Sequence, residues 1–180
     1  MNRKLGMYSS AVNLIAVTGF AISMLFGFDY GSYFSSMFIA FSFVPMMCAY
    51  TCFSEKKCRL AGYISTAFAV MYATIILLVY FAQLTTVRLS DLTPQASGLL
   101  DFQQFGLFFN YDLLGYALMA LATFFAGLTV NIQTKADKWL KYLLMVHGVF
   151  FVSCLIFPML GLFRAGSPPR TGVAELEFWC

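Results

Sequence analysis

The hydrophobic and polar positions along this chain fall into long apolar runs separated by short polar punctuation. Five runs, approximately 11–28, 33–53, 60–83, 107–130 and 139–163, are long enough to cross a bilayer. A hydrocarbon core of about 30 Å takes roughly 20 apolar residues as a helix. The runs are too long for strands and lack the alternation of an outer-membrane barrel. In lipid an α-helix satisfies its own backbone hydrogen bonds. The pattern therefore predicts an all-α, multi-pass transmembrane helical bundle of five spans, one integral membrane domain over residues 1–180.

Arg3 and Lys4 precede the first run, and Ala21-Ile22-Ser23 resembles a weak cleavage site. The run exceeds the 7–15 residues typical of a signal-peptide core, and a second span follows almost at once, so a retained helix is expected. Basic residues then set the direction. With the N-terminus cytoplasmic, the inside segments hold Arg3, Lys4, Lys56, Lys57, Arg59, Lys135, Lys138 and Lys141. The outside segments hold Arg88, Arg164 and Arg170, so the split is eight against three and accounts for all 11 basic residues. The expected topology is N-terminus cytoplasmic and C-terminus outside.

The one long connection, 84–106, lies outside in that scheme. It is broken at Pro94 and Gly98 and reads as a short interfacial helix with Leu99, Leu100 and Phe102 toward lipid, or as a plain connector. After the turn around Pro168 and Pro169, the chain ends at Phe178-Trp179-Cys180. That ending reads as the first turn of a sixth helix cut short, or as an exposed amphipathic tail.

Composition excludes the main alternatives. The chain is 61% hydrophobic and only 11% charged, against roughly 45–50% and about 25% in a soluble domain. Its mean hydropathy is +0.79. A water-soluble enzyme, a disordered chain and a nucleic-acid-binding protein are all excluded. The +3 net charge belongs to membrane orientation rather than to a polyanionic partner. The expected surroundings are a lipid bilayer, the plasma (inner) membrane.

Association of helices in lipid relies on small residues that let backbones approach. The first span carries Gly19, Ser23, Gly27 and, just beyond, Gly31; the third carries Ala61, Ser65, Ala69 and Ala73. The fourth has a weaker series at Gly115, Ala122, Ala126 and Gly127. These stripes fit packing within the chain, or pairing with a second copy or another membrane protein. Pro45 and Pro158 are expected to bend the second and fifth spans.

Candidate chemistry is sparse. Asp112 is the only acidic residue inside a run, and an intramembrane carboxylate is a functional hypothesis by default. It falls some 8 Å below the outer end of its span at about 1.5 Å per residue, within reach of ion pairing with Arg88 or Arg164. Alternatively it serves a ligand or proton site, with Tyr111, Tyr116 and Gln83 lining an outward pocket. His147, the only histidine, is either a neutral interhelical hydrogen bonder or a pH switch. Cys48, Cys52, Cys58, Cys154 and Cys180 show no zinc spacing, and neither a metal nor a cofactor is expected. No phosphate-cradling loop, metalloprotease motif or nucleophile elbow is present in the sequence. The expected function is a non-enzymatic membrane subunit or interaction module. The alternative is a small-molecule or proton-coupled transporter or binding protein that uses Asp112, and an intramembrane enzyme ranks third.

Overall fold

The first helix, α1 (Asn2–Leu25), ends where a glycine allows it to end. Gly27 takes a left-handed φ of 63°. The Phe28 amide donates to the Ser23 carbonyl (2.8 Å) and the Gly27 amide to that of Met24 (3.2 Å). This is the two-bond C-terminal cap that favours glycine at that position. The chain reverses at once into α2 (Asp29–Phe53), which stays continuous through Pro45. This computed structural model describes residues 2–103 and 106–161, and no strand occurs among them.

After the short 3-10 turn Lys56–Cys58 comes α3 (Arg59–Ala82), prolonged by a π-helical turn, Gln83–Val87. The loop that follows contains α4 (Pro94–Leu100), started by Thr93, whose side chain accepts from the Ala96 amide, and by a proline in its first turn. α5 covers Leu107–Thr129. α6 (Lys135–His147) opens on a capping box between Thr134 and Asp137, and α7 (Phe150–Met159) completes the same apolar stretch. Five helical segments are long and apolar enough to cross a membrane: Asn2–Leu25, Asp29–Phe53, Lys56–Val87, Leu107–Thr129 and Lys135–Met159.

The helices pack largely in chain order. α3 lies between α2 and α5, α1 packs chiefly on α2, and α6 and α7 pack on α5. The core sits among α2, α3 and α5, around Ala40, Met47, Ala69, Tyr72, Ile76 and Ala122. Small residues hold the helices close. Ser65 Oγ on α3 donates to the Ala122 carbonyl of α5 (2.7 Å), and Ser65, Ala69 and Ala73 are all buried.

Along α1, the seam with α2 differs from the expected four-residue stripe. Added Cβ atoms would meet Ala49 at Gly6 and Ser35 at Gly19, and one at Gly31 would meet Ser23. Between these contacts Asn13 Nδ2 donates to Ser42 Oγ (3.0 Å) and to the Ile39 carbonyl (3.3 Å). The contacting face of α1 is thus Gly6, Ser9, Asn13, Ala16, Gly19 and Ser23, close to a seven-residue repeat. That repeat keeps one seam facing its neighbour in a left-handed crossing. Gly27 lies past the helix in open space and serves the turn. Gly31 belongs to the first turn of α2.

The fifth apolar stretch breaks at Gly148 and Val149, well before Pro158. An added Cβ on Gly148 would come within 2.8 Å of Phe124 on α5, so this close crossing sits where the helix yields. Opposite the α4 end, Asn131 Nδ2 donates to Glu55 (2.6 Å), which also pairs with Lys57 (2.8 Å), tying the α2–α3 and α5–α6 connections together. Arg164, Arg170 and the Phe178-Trp179 ending, read as the start of a sixth helix or as a tail, lie outside the described residues.

Candidate functional site at the α4 end of the core

Asp112 sits on α5 facing the core and is only 6% exposed. Tyr80 on α3 is hydrogen-bonded to its carboxylate, and the Tyr80 hydroxyl is also in hydrogen-bonding contact with Tyr116 of α5 and Ser36 of α2. Ser36 Oγ in turn donates to the Ser32 carbonyl (2.9 Å). One carboxylate oxygen, Asp112 Oδ1, is buried without a hydrogen-bond partner among the described residues. Buried polar atoms are rarely left in this state, and each one needs a physical reason.

The expected ion pair with Arg88 does not form. The Arg88 guanidinium instead lies over the Tyr30 ring, 4.5 Å from its centroid. Arg164, the other expected partner, lies outside the described residues. Between Asp112 and the end of the bundle stands an aromatic layer. The rings of Tyr33, Tyr80 and Phe102 are mutually packed at 5.3, 5.7 and 5.9 Å between centroids, and Phe102 also meets Phe109 at 5.8 Å.

Phe102 thereby points into the bundle, where a lipid-facing position was expected. The reason is Gln83. Its Nε2 donates to the Leu100 carbonyl (2.7 Å) and its Oε1 accepts from the Phe102 amide (3.1 Å). This two-point clamp fixes the loop so that the next ring inserts. Gln83 opens the π turn of α3, and a turn of that kind re-aims side chains relative to the helix before it. Leu99 is exposed, and Ser97 Oγ donates to the Asp101 carboxylate, closing α4.

Above the aromatic layer opens a cavity of about 330 Å³, whose lining includes Asp29, Tyr30, Tyr33, Gln83, Arg88, Asp101 and Phe102. The four residues expected to share one pocket are therefore separated. Gln83 lines this cavity, Asp112 and Tyr116 are among the residues around the buried carboxylate, and Tyr111 is 47% exposed with its ring edge-on to Phe108. Tyr33, Tyr80 and Phe102 were not legible as site residues, because in a chain with 21 Phe and 10 Tyr no single ring stands out.

His147 lies apart from this site, at the end of α6. Its Nδ1 is 2.8 Å from Thr123 Oγ1 on α5, and that hydroxyl also bonds to the Ala120 carbonyl (2.9 Å). The His147 ring and the Thr123 hydroxyl thereby tie α6 to α5. Cys48, Cys52, Cys58 and His147 do not converge: among the described residues no group of three or more His, Cys, Asp or Glu could hold a metal ion.

A carboxylate with one oxygen bonded to a tyrosine and the other free can accept a hydrogen bond from water, a hydroxyl or an ammonium, or it can carry the proton itself. No protein-family model matches this chain, and neither the curated proteins nor the solved structures contain a detectable relative.

Proposed function

We propose that this chain is a non-enzymatic, multi-pass integral membrane protein that binds and moves a small solute or a proton through the α4 end of its core, with Asp112 as the group that receives it. The observation that carries the reading is the free, buried Oδ1 of Asp112 beside the Tyr80 hydroxyl. Retaining a carboxylate at such a position is costly in a membrane, and residues of this kind mark ion and substrate paths. The Tyr80 hydroxyl links the carboxylate to the hydroxyls of Tyr116 and Ser36, which extend the set of donors and acceptors.

In the same reading the N-terminus is cytoplasmic and the α4 end faces outward, following the eight-to-three division of basic residues. The membrane is the plasma (inner) membrane. Impermeant maleimide tests the direction: Cys58 is expected to react only from the cytoplasmic side, and labelling from outside alone would reverse it.

The transport reading is tested with the full chain in sealed vesicles holding a trapped pH-sensitive dye. Proton flux above that of empty vesicles is expected, together with at least a tenfold loss in Asp112→Asn. Equal flux in wild type and variant would remove Asp112 from the mechanism. A second reading, a membrane subunit docking through its flanks, is favoured by α1 packing chiefly on α2 and by α6 and α7 packing chiefly on α5. Those outer helices offer their remaining faces to lipid, to a second copy or to another membrane protein.

A further inference from the structure

We propose that the cavity at the α4 end recognises a small organic cation, held by the carboxylates of Asp29 and Asp101 against the ring faces of Tyr33 and Phe102. This rests on the reading of that end of the core as a solute site and names the chemical class of the solute.

Charge comes first. Of the residues lining the cavity, Asp29 and Asp101 are acidic and Arg88 is basic, which leaves one net negative charge. Neither carboxylate forms an ion pair among the described residues, where the only salt bridge joins Lys57 and Glu55 at the opposite end. Asp101 accepts one hydrogen bond, from the Ser97 hydroxyl, and has a second oxygen to offer. An anionic solute would meet like charge, and a neutral one would forgo the attraction.

The walls agree with the charge. Aromatic faces carry negative potential and attract cations within about 6 Å of the ring centroid. One wall already does so, because the Arg88 guanidinium lies 4.5 Å from the Tyr30 centroid. Tyr33 and Phe102 meet at 55° with centroids 5.7 Å apart and form a corner on the same cavity. Asp29, Asp101 and Asp112 all act electrostatically on Tyr33, so this ring is near both rim carboxylates and the buried one. A cation admitted by the rim would rest on a ring that also feels the charge of Asp112. At about 330 Å³ the space lies at the small end of ligand pockets, which suits a compact ammonium or guanidinium compound and not a lipid.

The test uses the full chain in neutral maltoside micelles and three probes of similar size: benzylammonium, benzyl alcohol and benzoate. Calorimetry is expected to show benzylammonium binding at least tenfold more tightly than benzyl alcohol, with no binding of benzoate. Asp29→Asn and Asp101→Asn are each expected to weaken benzylammonium at least threefold, and Phe102→Leu to weaken it with charge unchanged. Size-exclusion profiles and helical circular dichroism check that each variant is folded. The proposal is overturned if benzyl alcohol binds as tightly as benzylammonium, if none of the probes binds, or if the Asp29→Asn/Asp101→Asn double variant binds benzylammonium unchanged. Its failure is separable from failure of the transport reading. Proton flux that still requires Asp112 keeps the site and discards the cation. Cation binding without Asp112-dependent flux keeps the cavity and discards the transport.

Discussion

At the scale of single residues, the positions that matter most are polar ones that the surrounding helices leave incompletely satisfied or use twice. Asp112 is the first kind. A buried carboxylate with an empty acceptor costs stability, and such groups persist where a function needs them. Asp112→Asn is therefore expected to stabilise the folded protein, by about 1–2 kcal/mol if the unmet oxygen is the main cost, seen as a higher melting temperature in detergent. A fall of several degrees would instead make the carboxylate a structural member of the Tyr80 cluster. Ser65 is the second kind, donating to the Ala122 carbonyl at 2.7 Å with the Met47 sulfur at 3.4 Å. Ser65→Ala is expected to cost about 0.5–1.5 kcal/mol, the range of interhelical hydrogen bonds in membranes. A loss within measurement error would show that close packing of the small side chain, and not its hydroxyl, holds α3 to α5.

The sequence marked both residues, Asp112 as the acid inside a run and Ser65 within a small-residue stripe. It gave no sign that Tyr80 is the partner of Asp112, since that contact joins positions 80 and 112 across two helices.

At the scale of elements, the interface of α3 with α5 and the clamp on α4 carry different loads. Ala122 has no exposed surface, so Ala122→Leu must push the two helices apart and is expected to cost about 1–3 kcal/mol. Leu14 on α1 is 68% exposed, and Leu14→Ala is expected to stay within about 0.5 kcal/mol, as at other surface positions. Chemical denaturation of both variants checks the contrast, and equal effects would contradict the packing order. Gln83→Leu removes both bonds to the loop. Its expected result is faster cleavage of the 90–101 segment by added protease, with the spans resisting as before. Unchanged cleavage would mean that Phe102 alone anchors the loop.

Element positions were largely legible, because long apolar runs bounded by charges leave little choice of helix. The expected spans 33–53 and 107–130 lie within a residue or so of α2 and α5, apart from the earlier start of α2 at Asp29. Two features were not. The first span begins at Asn2 because Asn2, Arg3 and Lys4 continue the helix although they are not apolar. The fifth breaks at Gly148 because Phe124 of another helix crosses there, whereas the proline, the usual signal, lies further along.

At the scale of the whole molecule, the helices form a row with a three-helix centre and two lightly held flanks. No residue of α6 or α7 is buried, and in α1 only Ser9 and Ala16 are. Regions with few buried contacts open at lower free energy than the core. Hydrogen exchange in detergent is thus expected to be fastest in α1 and in α6 and α7, and slowest in α3 and α5. Uniform protection across all helices would mean that the flanks are held by something beyond their single neighbours.

The sequence by itself determined the helical class, the count of five membrane-length segments and the presence of one acid, Asp112, well inside an apolar run. It could do so because period and apolar length are local properties, and because lipid permits so few backbone structures. Tertiary structure alone decided which face of α1 meets α2, which rings cover Asp112, and that Arg88 rests on Tyr30 instead of on the carboxylate. Those outcomes depend on which of many similar apolar side chains comes to lie opposite which other. In a chain so rich in Phe and Tyr, hydrophobicity cannot rank the choices, and only the close approach of small residues and the few fixed hydrogen bonds select among them.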